Sequence, residues 1–576
     1  MNKQGFLKGS AILLLSVAFT KMLGLLYRIP LTRLLGGSGM GYYSSAFCLF
    51  TPVMALAAAG IPSAMARLAA EDHAFERYAQ LRKTKRTAMR LYTGIGLVCA
   101  AVVVLLALPA AKLFTGSRNA GYAIACLAPA LVFCTAMSVE RGYYEGLHNM
   151  YPTAVSEIIE TVFRLLLGLG SAYGVHAYAL DEFARKGSCF GVACADAAQA
   201  SQAALPFAAA AAVLGSSLAS GIACIYLLVR SKLKDDGITP GMLKKDVVTE
   251  RSGKIVRRLL SYSLPVSLAA LITTLTGMID MLTVNPCAAA AIDRQPQRFA
   301  HLLGGELTRD MLPNFIYGSY TGLAVAVAGL VPTLTAMLGK SALAGVAEAF
   351  AKGDGKAVEQ RLNKMMMLCS MIAFPSAMGI SLMSRQILEL LFSGRSAEIA
   401  AAAPSLRILG AAVLLMSLSL PCFTMMQTLG RSKQVMLIML CGGAVKLAAN
   451  VLLIRLPAFA LTGAAISTVI SEAFICLCSV RITYRAAGAR CDRKNVLLKP
   501  CYTGLMACAA AFLTRQLLLK WDFIAVKPRL ITLLAVFFSV IMYLITVALL
   551  CEMPKNALFS ALCKKKSKKH LKFSGK

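Results

Sequence analysis

Long apolar runs alternate with short polar segments along almost the whole chain. A helix needs roughly 20 predominantly apolar residues to cross the hydrocarbon core of a bilayer, and fourteen runs of about that length are present. They are residues 6–35, 42–68, 89–114, 122–147, 153–177, 205–229, 259–284, 315–338, 365–383, 406–429, 435–454, 459–480, 501–519 and 531–551. The pattern predicts an all-α polytopic membrane protein with about 14 transmembrane helices. No small-residue cleavage site follows the first run, so we expect it to stay as the first span.

Composition agrees with this pattern, and the distribution of charge orients the chain. Of the 576 residues, 58% are hydrophobic and the mean hydropathy is +0.67, which is too apolar for an ordinary soluble protein. The net charge is +33. Roughly two thirds of the Lys and Arg residues lie in the two tails and the loops after even-numbered spans, which the positive-inside rule assigns to the cytoplasm. We therefore predict a bacterial cytoplasmic membrane protein with both termini cytoplasmic, a basic tail beside anionic membrane lipids, and no nucleic-acid partner.

One unit of sequence occurs twice. The stretch "EGLHNMYPTAVSEIIETVFR", from Glu145, aligns with "QTLGRSKQVMLIMLCGGAVK", from Gln427, at a constant offset of 282, which places Arg164 on Lys446. The same offset aligns "AAED", from Ala69, with "AKGD" after the eighth span. One alignment offset therefore relates two separate regions of the first half to two regions of the second half.

The first and seventh spans align at a shorter offset, near 253, with Gly24 on Gly277. The long outer loop 285–313 has no counterpart in the first half and accounts for the difference. We therefore predict two parallel six-helix bundles around a midplane cavity, with two further helices at the C-terminus. The predicted domains are an N-lobe (1–230), a cytoplasmic linker (231–258), a C-lobe (259–485), the last two spans (497–552) and a basic cytoplasmic tail (553–576).

Basic residues inside the first span need a compensating partner. A Lys or Arg at the centre of a transmembrane helix costs roughly 2.5–3.5 kcal/mol on insertion scales. Lys21, Gly24 and Arg28 stand at i, i+3 and i+7, so they share one helical stripe. We expect that stripe to face water or an anion. The alternative is that Arg28, like Arg33, extends to the outer headgroups.

The fifth and eleventh spans carry basic residues at matching places of the repeat. Glu157, Glu160 and Arg164 stand at i, i+3 and i+7 in the fifth span, so Glu160 can form an ion pair with Arg164 one turn away. Lys446 has no acidic residue in its own span. Lys446 is therefore the better candidate for contact with a ligand.

Two acids lie deep in the second half of the chain, Asp280 in the seventh span and Glu472 in the twelfth. Three roles are open to them: pairing with Lys446, binding a coupling cation such as Na⁺, or relaying a proton. The sequence does not choose among these roles.

Charged and aromatic residues also cluster at the cytoplasmic edge of the fourth span. The stretch "SVERGYYEGLHNM" places Glu140, Arg141 and Glu145 beside two tyrosines. The cluster is either a gate that pairs and unpairs as the lobes move, or an interfacial anchor.

Candidate catalytic and metal-binding groups are scarce. The five histidines fall in loops or at span edges, outside any Ser/His/Asp or metal-ligand spacing. Most of the 18 cysteines lie inside spans, where cysteine behaves as a small hydrophobe. Cys189 and Cys194 share an outer loop, and the spacing leaves their pairing open. We predict no enzymatic activity, no metal and no cofactor.

Several stretches together resemble the multidrug/oligosaccharidyl-lipid/polysaccharide exporter superfamily, in its stage V sporulation protein B and polysaccharide-exporter branch. They are "TKMLGLLYRIPLTRLLGGSGMGYYSSAF", "RGYYEGLHNMYPTAVSEIIETVFRLLLG", "MIDMLTVNP", "YGSYTGLAVAVAGLVPTLTAML" and "TLGRSKQVMLIMLCGGAVKLAANVLLIRLPAFALTGAAISTVISE". The resemblance covers most of the first 485 residues. It implies a two-lobed transporter that works by alternating access and moves undecaprenyl-linked envelope precursors.

The related lipid II flippases have a cationic cavity with arginines in the first, second and eighth spans. Lys21 and Arg28 match the first-span cations, whereas the second-span stretch "AFCLFTPVMALAAAG" and the eighth span of this chain are uncharged. The resemblance therefore implies a pyrophosphate-linked glycan and does not single out lipid II. We expect Lys21, Arg28, Arg164 and Lys446 to bind the headgroup, with Na⁺ or H⁺ as a possible coupling ion. A cation-coupled multidrug antiporter of the same fold is the rival prediction.

Overall fold

The computed structural model describes residues 6–115, 119–147, 149–233, 242, 249–299, 311–519 and 528–550. The first half contains α1 (Phe6–Ala58), α2 (Ile61–Ala74), α3 (Tyr78–Thr115), α4 (Ala120–Gly146), α5 (Tyr151–Lys186), the hairpin β1 (Ser188–Cys189) and β2 (Val192–Ala193), and α6 (Ala197–Leu233). The second half contains α7 (Ser252–Arg294), α8 (Leu312–Ser319), a π-helix (Tyr320–Val325), α9 (Ala326–Ala328), α10 (Leu330–Ala351), α11 (Gly355–Leu382), α12 (Ser384–Leu391), α13 (Ser396–Thr428), α14 (Ser432–Ile454) and α15 (Gly463–Ala487). A second π-helix (Lys494–Leu498), α16 (Lys499–Leu519) and α17 (Pro528–Leu550) follow.

The number of spans agrees with the sequence pattern. Twelve helices in the described part of the chain are long and apolar enough to cross a membrane, and a bent pair, 312–328 with 330–340, makes thirteen. The first of the twelve runs for 52 residues, or about 78 Å at 1.5 Å per residue, which is far more than a bilayer core of about 30 Å. Gly36 (φ 61°, ψ −170°) interrupts its helical backbone between the first two predicted spans. The all-α polytopic membrane fold is confirmed.

One predicted boundary is wrong. Residues 285–313 do not form one long loop, because α7 continues through the alanine-rich segment after Asn285 to Arg294, and alanine is the best helix former. The eighth span is present as a bent pair of helices. It passes through the π-helix and bends by 40° at Gly329.

Several other predictions fall outside the described residues or gain detail from them. The turn predicted at 237–241 and the basic tail 553–576 lie outside the described residues. The last part of the predicted linker, from Ser252, belongs to α7. Cys189 and Cys194 are both free thiols, so the hairpin that contains them is held without a disulfide.

Each half of the chain has its own hydrophobic core. One cluster is drawn from α1 and α3–α6 and is rich in alanine, as in the fully buried Ala208, Ala209 and Ala212 of α6. A second cluster is drawn from α7, α8, α13 and neighbouring elements, around Tyr317 and Phe392. Small residues allow helices to approach closely in a membrane, where packing rather than the hydrophobic effect holds helices together.

The two halves meet at the predicted outer side through glycines. The segment Gly37–Gly41 of α1 packs against α8, where Asn314 donates a hydrogen bond of 2.8 Å to the carbonyl oxygen of Ser38. A Cβ at Gly318 would overlap the backbone of Gly37 and Gly41. The lobes therefore touch, backbone against backbone, on this side.

Helix α7 also joins the halves at the predicted inner side. Tyr92 of α3 donates a hydrogen bond of 2.8 Å to Ser263, and the amide of Gly60 donates one of 3.1 Å to Ser267. Arg258 lies 3.0 Å from Glu71 of α2. The first part of α7 is therefore attached to the first half of the chain, although the helix begins the predicted C-lobe.

Candidate functional site

The deepest acid and base of the second half form a buried ion pair. α7 presents Asp280 and α14 presents Lys446, and Lys446 Nζ lies 2.8 Å from Asp280 Oδ2. The two side chains are 12% and 9% exposed, respectively. The partner that Lys446 lacks in its own helix is thus supplied by another helix, and the charge of the ammonium is balanced inside the protein.

Asn450, one turn after Lys446, also binds the Asp280 carboxylate. Its amide nitrogen donates to Asp280 Oδ1 at 3.1 Å and to Thr283 Oγ1 at 2.7 Å. Ser467 of α15 donates to the side-chain oxygen of Asn450. Both oxygens of Asp280 therefore accept a hydrogen bond, as a buried charge requires. Sequence analysis missed Asn450, although its i, i+4 spacing from Lys446 was a usable signal.

Glu472, the other deep acid, lies near the same lysine. It occupies a partly buried position on α15 and interacts electrostatically with Lys446. The hydrogen bond of Lys446, however, goes to Asp280. Among the three roles considered for the deep acids, the geometry of Asp280 matches pairing with Lys446.

Arg28 crosses from α1 to the second half of the chain. Its Nη2 donates a hydrogen bond of 2.9 Å to the carbonyl oxygen of Thr321, which lies in the first π-helix. The Nε atom of Arg28 is buried and has no hydrogen-bond partner within the described residues. Because guanidinium has five donors in a planar fork, the side chain keeps capacity for a further acceptor.

Arg164 belongs to a second charged group, in the first half. It lies 2.8 Å from Glu160 Oε1, as the i, i+4 spacing predicts, while Arg141 lies 3.1 Å from Glu160 Oε2. Ser220 of α6 also donates to Glu160, at 3.0 Å. One carboxylate therefore serves two arginines, and Glu145 also interacts electrostatically with Arg141. The Arg164 side chain is 35% exposed, and its Nε, in this part of the structure, has no hydrogen-bond partner.

These groups follow one another through the protein in what we call the charged belt: Arg164, Tyr43, Arg28, Cys48, Asp280 and Lys446. The Tyr43 hydroxyl lies near enough to Arg28 and Arg164 for their charges to affect its ionisation. Cys48 interacts with Arg28, Asp280 and Lys446, and its sulfur lies 3.2 Å from the Tyr317 hydroxyl. The belt runs from the fifth span, through α1, to α7 and α14. Tyr43 and Cys48 carry no charge, so sequence analysis did not select them.

The remaining predicted residues are distributed around the first half. Ser16 of α1 donates to Glu157 at 2.8 Å, and Thr153 donates to Glu145 at 3.3 Å. The side chain of Lys21 lies outside the described residues. Glu157 and Glu145 therefore contribute hydrogen bonds that connect helices, and Glu145 also lies close enough to Arg141 to interact with it electrostatically.

Glu140 pairs with a residue that sequence analysis missed. Lys85 of α3 lies 2.8 Å from Glu140 Oε2, and its ammonium sits 4.2 Å from the centroid of the Tyr143 ring. The Lys85 Nζ also donates to Ser231 at 2.7 Å. Lys85 stands four residues before the predicted third span among several other basic residues, and nothing in the sequence distinguishes it from them.

Family models match both halves of the chain. A model described as a polysaccharide biosynthesis protein matches residues 6–181, and a model described as lipid II flippase MurJ matches residues 319–532. Stage V sporulation protein B of Bacillus subtilis (strain 168) is 24% identical over 478 residues, which are 83% of this chain and 83% of that protein. Lipid II flippase MurJ of the same organism is 24% identical over 461 residues, 78% of this chain and 77% of that protein.

Solved structures show the same fold. A multidrug resistance MATE family transporter in an inward-facing conformation matches with a TM-score of 0.61 at 15% identity, over 83% of this chain and 98% of that one. Lipid II flippase MurJ in an inward closed conformation matches with a TM-score of 0.59 at 12% identity, over 95% of this chain and 98% of that one. At these identities the likeness concerns the fold.

Proposed function

We propose that this chain, which belongs to the multidrug/oligosaccharidyl-lipid/polysaccharide exporter superfamily, moves a lipid-linked glycan across the membrane by alternating access. The proposed cargo is an undecaprenyl-pyrophosphate-linked precursor of peptidoglycan or of a polysaccharide. The names of its flippase relatives support a cargo of this class. The observation that carries the proposal is Arg28, a guanidinium at the contact between the two halves whose Nε has no hydrogen-bond partner among the residues that the structure describes.

An anionic headgroup explains why the charged belt exists. A charged phosphate in hydrocarbon is prohibitively unstable unless protein groups replace its water. Arginine binds phosphate oxygens through two parallel hydrogen bonds, which makes it well suited to a pyrophosphate. Arg28 and Arg164 both lie near Tyr43, and the proposal assigns one phosphate of the headgroup to each guanidinium group.

The contact of Arg28 with Thr321 gives the cargo a way to move the lobes. When a pyrophosphate binds the Arg28 guanidinium, the hydrogen bond from Arg28 to the Thr321 carbonyl is replaced by a stronger, charge-assisted hydrogen bond to a phosphate oxygen. The first half of the chain then loses an attachment to the second half near the middle of the membrane. The lobes separate on the outer side, the glycan leaves, and the polyprenyl chain stays in lipid beside the last two helices.

Reconstituted vesicles test this proposal. A fluorescent undecaprenyl-pyrophosphate disaccharide in the vesicle membrane reports transfer between leaflets through its accessibility to a quencher added outside. We expect Arg28→Ala and Arg164→Ala each to slow transfer about tenfold or more, the factor for a lost charge-assisted hydrogen bond of roughly 1.5–3 kcal/mol. Arg33→Ala is the matched control, because Arg33 lies on the same helix and binds Ser393 at an exposed position. Full transfer by the Arg28→Ala/Arg164→Ala double variant would contradict the proposal.

A cation-coupled multidrug antiporter is the second candidate, and the MATE family fold favours it. A transporter of organic cations needs an acid that is available to its cargo. The Asp280 carboxylate is already bound by Lys446 and Asn450, so the geometry favours the anionic cargo. Efflux of a cationic dye that Asp280→Asn abolishes would favour the antiporter instead.

A further inference from the structure

We propose that Arg395 and Glu398 of the C-lobe form an outer clasp on the turn between the first two spans, positioning that turn while the predicted outer side is closed and releasing it whenever the lobes separate there. The inference deepens the proposed function, and its statement about the transport cycle rests on that function. The statement about the clasp concerns the closed contact alone and can be tested without any cargo.

The turn of α1 at Gly36 leaves two backbone groups at helix ends. In a regular α-helix the amide of residue 37 donates to the carbonyl oxygen of residue 33. Gly36 interrupts the helix between them with φ 61° and ψ −170°, a combination that is essentially restricted to glycine. The Arg33 carbonyl therefore belongs to the end of the first span and the Gly37 amide to the start of the second, where backbone groups need partners from outside the helix.

The ion pair of Arg395 and Glu398 supplies a partner to each of these groups. Glu398 Oε1 accepts a hydrogen bond of 3.2 Å from the Gly37 amide, and Arg395 Nη2 donates a hydrogen bond to the Arg33 carbonyl oxygen. The two side chains also contact each other, since Arg395 Nη1 lies 3.4 Å from Glu398 Oε1. A cation thus meets the carbonyl end of one span and an anion meets the amide end of the next, which is the arrangement that helix dipoles favour.

The clasp packs closely over the turn. The Glu398 side chain is 7% exposed, and a Cβ at Gly36 would lie 3.2 Å from both Arg395 Nη1 and Glu398 Oε1. The ring of Phe315 in α8 covers the next glycine, because a Cβ at Gly37 would overlap it. The turn belongs to the first half of the chain and the clasp to the second. Separation of the lobes on this side therefore has to break both hydrogen bonds of the clasp.

A neighbouring ion pair shows what a simple pair at this side looks like. Arg385 and Glu389 pair within α12, where the Glu389 side chain is 45% exposed, and exposed pairs of this kind contribute little to stability. Glu398 lies in the first turn of α13, where an acid can stabilise its own helix. Its hydrogen bond, however, goes to the Gly37 amide of another helix. Glu398 is therefore placed to hold α1 as well as to begin α13.

Chemical labelling from outside measures the release of the clasp. A cysteine introduced at Ser38, which is 5% exposed at the same closed contact, should react with a membrane-impermeant maleimide only while the outer side is open. The labelling of protein without this cysteine is subtracted. We expect Glu398→Ala to raise the labelling rate about tenfold or more, the factor for a lost hydrogen bond to a charged group. Glu389→Ala is the matched control and should leave the rate unchanged.

Exchange of the two charges distinguishes a clasp from a simple ion pair. Arg395→Glu/Glu398→Arg keeps a salt bridge, but it directs a carboxylate at the Arg33 carbonyl and a guanidinium at the Gly37 amide, so neither hydrogen bond to the turn can form. We expect this double variant to label as fast as Glu398→Ala. Labelling at the wild-type rate by the double variant would overturn the proposal, as would labelling at the wild-type rate by Glu398→Ala.

Two further variants separate release of the clasp from loss of folding. Glu398→Gln keeps the size of the side chain and a neutral acceptor, so it covers the case that Glu398→Ala does not fold, and its labelling should be about threefold faster or more. Lys85→Ala removes the partner of Glu140, away from the clasp, and should not change labelling at Ser38. Equal acceleration by Lys85→Ala would overturn the proposal, because general instability would then explain the labelling.

The labelling experiment contains no cargo, so its outcome is independent of the proposed function. If the clasp variants label as expected but the wild-type protein does not transfer the pyrophosphate-linked lipid, the clasp stands and the proposed cargo is wrong. If transfer depends on Arg28 but labelling does not depend on Glu398, the cargo stands and the clasp is wrong.

Discussion

The backbone of Gly318 lies directly against the carbonyl oxygen of Gly37, with no room for a side chain between them. Gly318 belongs to α8 in the second half of the chain and Gly37 to α1 in the first half, so this contact closes the predicted outer side. The closure depends on the absence of a Cβ at Gly318 and at the facing glycines Gly37 and Gly41.

Gly318→Ala should open this contact. An added methyl group in a packed region typically destabilises the folded protein by roughly 1–3 kcal/mol. Separation of α1 from α8 is the direct way to relieve the overlap between that group and the backbone of α1. We expect a cysteine introduced at Ser38, which is 5% exposed, to react faster with a membrane-impermeant maleimide in the Gly318→Ala background. Gly379→Ala is the control, since a Cβ there meets no atom within 4 Å. Equal labelling rates in both backgrounds would contradict the prediction.

Tyr27→Asp should place a second carboxylate near Arg164, which already pairs with Glu160. A carboxylate at this position would lie beside Arg164, which already interacts with Tyr27. We expect Tyr27→Asp to lower transfer of the fluorescent pyrophosphate-linked lipid about tenfold or more, because its headgroup would then compete with an internal anion. Tyr27→Phe, which adds no charge, should keep most of the activity. Similar activity for the two variants would show that Arg164 does not meet the headgroup.

Lys85→Ala should destabilise the first half of the chain. Removal of one partner of a buried ion pair typically costs about 3–5 kcal/mol, and the Glu140 side chain is 3% exposed while Lys85 is 16% exposed. We expect a loss near the lower end of that range, measured as a lower melting temperature. Lys85→Ala/Glu140→Gln should recover part of the loss, because it leaves no unbalanced carboxylate. A double variant less stable than Lys85→Ala would argue against the pair.

Acid should weaken the attachment of α7 at the predicted inner side. Burial works against ionisation of Glu250, but hydrogen bonds and charges from Arg258 and Lys254 prevail and lower the pKa of Glu250 below its ordinary value of 4.5. A carboxyl group with a lowered pKa stabilises the folded state above its unfolded pKa, and this contribution is lost as the pH falls through the folded value. The loss therefore begins below about pH 4.5.

Hydrogen exchange of the first turns of α7 measures this effect. Exchange there, corrected for the intrinsic pH dependence, should accelerate as the pH falls below about 4.5. Arg258→Gln removes the group that contacts both Glu250 and Glu71, so this variant should exchange faster at neutral pH and respond less to acid. If Arg258→Gln responds to acid as the wild-type protein does, protonation of Glu250 beside Arg258 is not the cause of the faster exchange.

The sequence by itself determined the class of fold and most of its helices. Runs of about 20 apolar residues leave few alternatives in a bilayer, since the backbone must satisfy its hydrogen bonds within each helix. The repeat in the sequence also placed Arg164 and Lys446 at matching positions, and the i, i+4 spacing predicted the pair Glu160–Arg164, which is 2.8 Å long. Span length and the i, i+4 pair depend on spacing within one helix, and the repeat depends on comparison of two stretches of sequence. None of these properties requires knowledge of how the helices pack.

Only the tertiary structure decided which partner each charge has. Lys446 and Asp280 are 166 positions apart, and Arg28 and Thr321 are 293 apart, so no helical periodicity connects them. The contact of Gly37 with Gly318 likewise depends on how two distant helices cross. A helix presents its side chains in every direction, and the packing of its neighbours selects which of them meet. The sequence therefore determined that charges lie within the membrane, while the packing determined that Lys446 pairs with Asp280 and that, within the described part of the chain, the Nε of Arg28 has no hydrogen-bond partner.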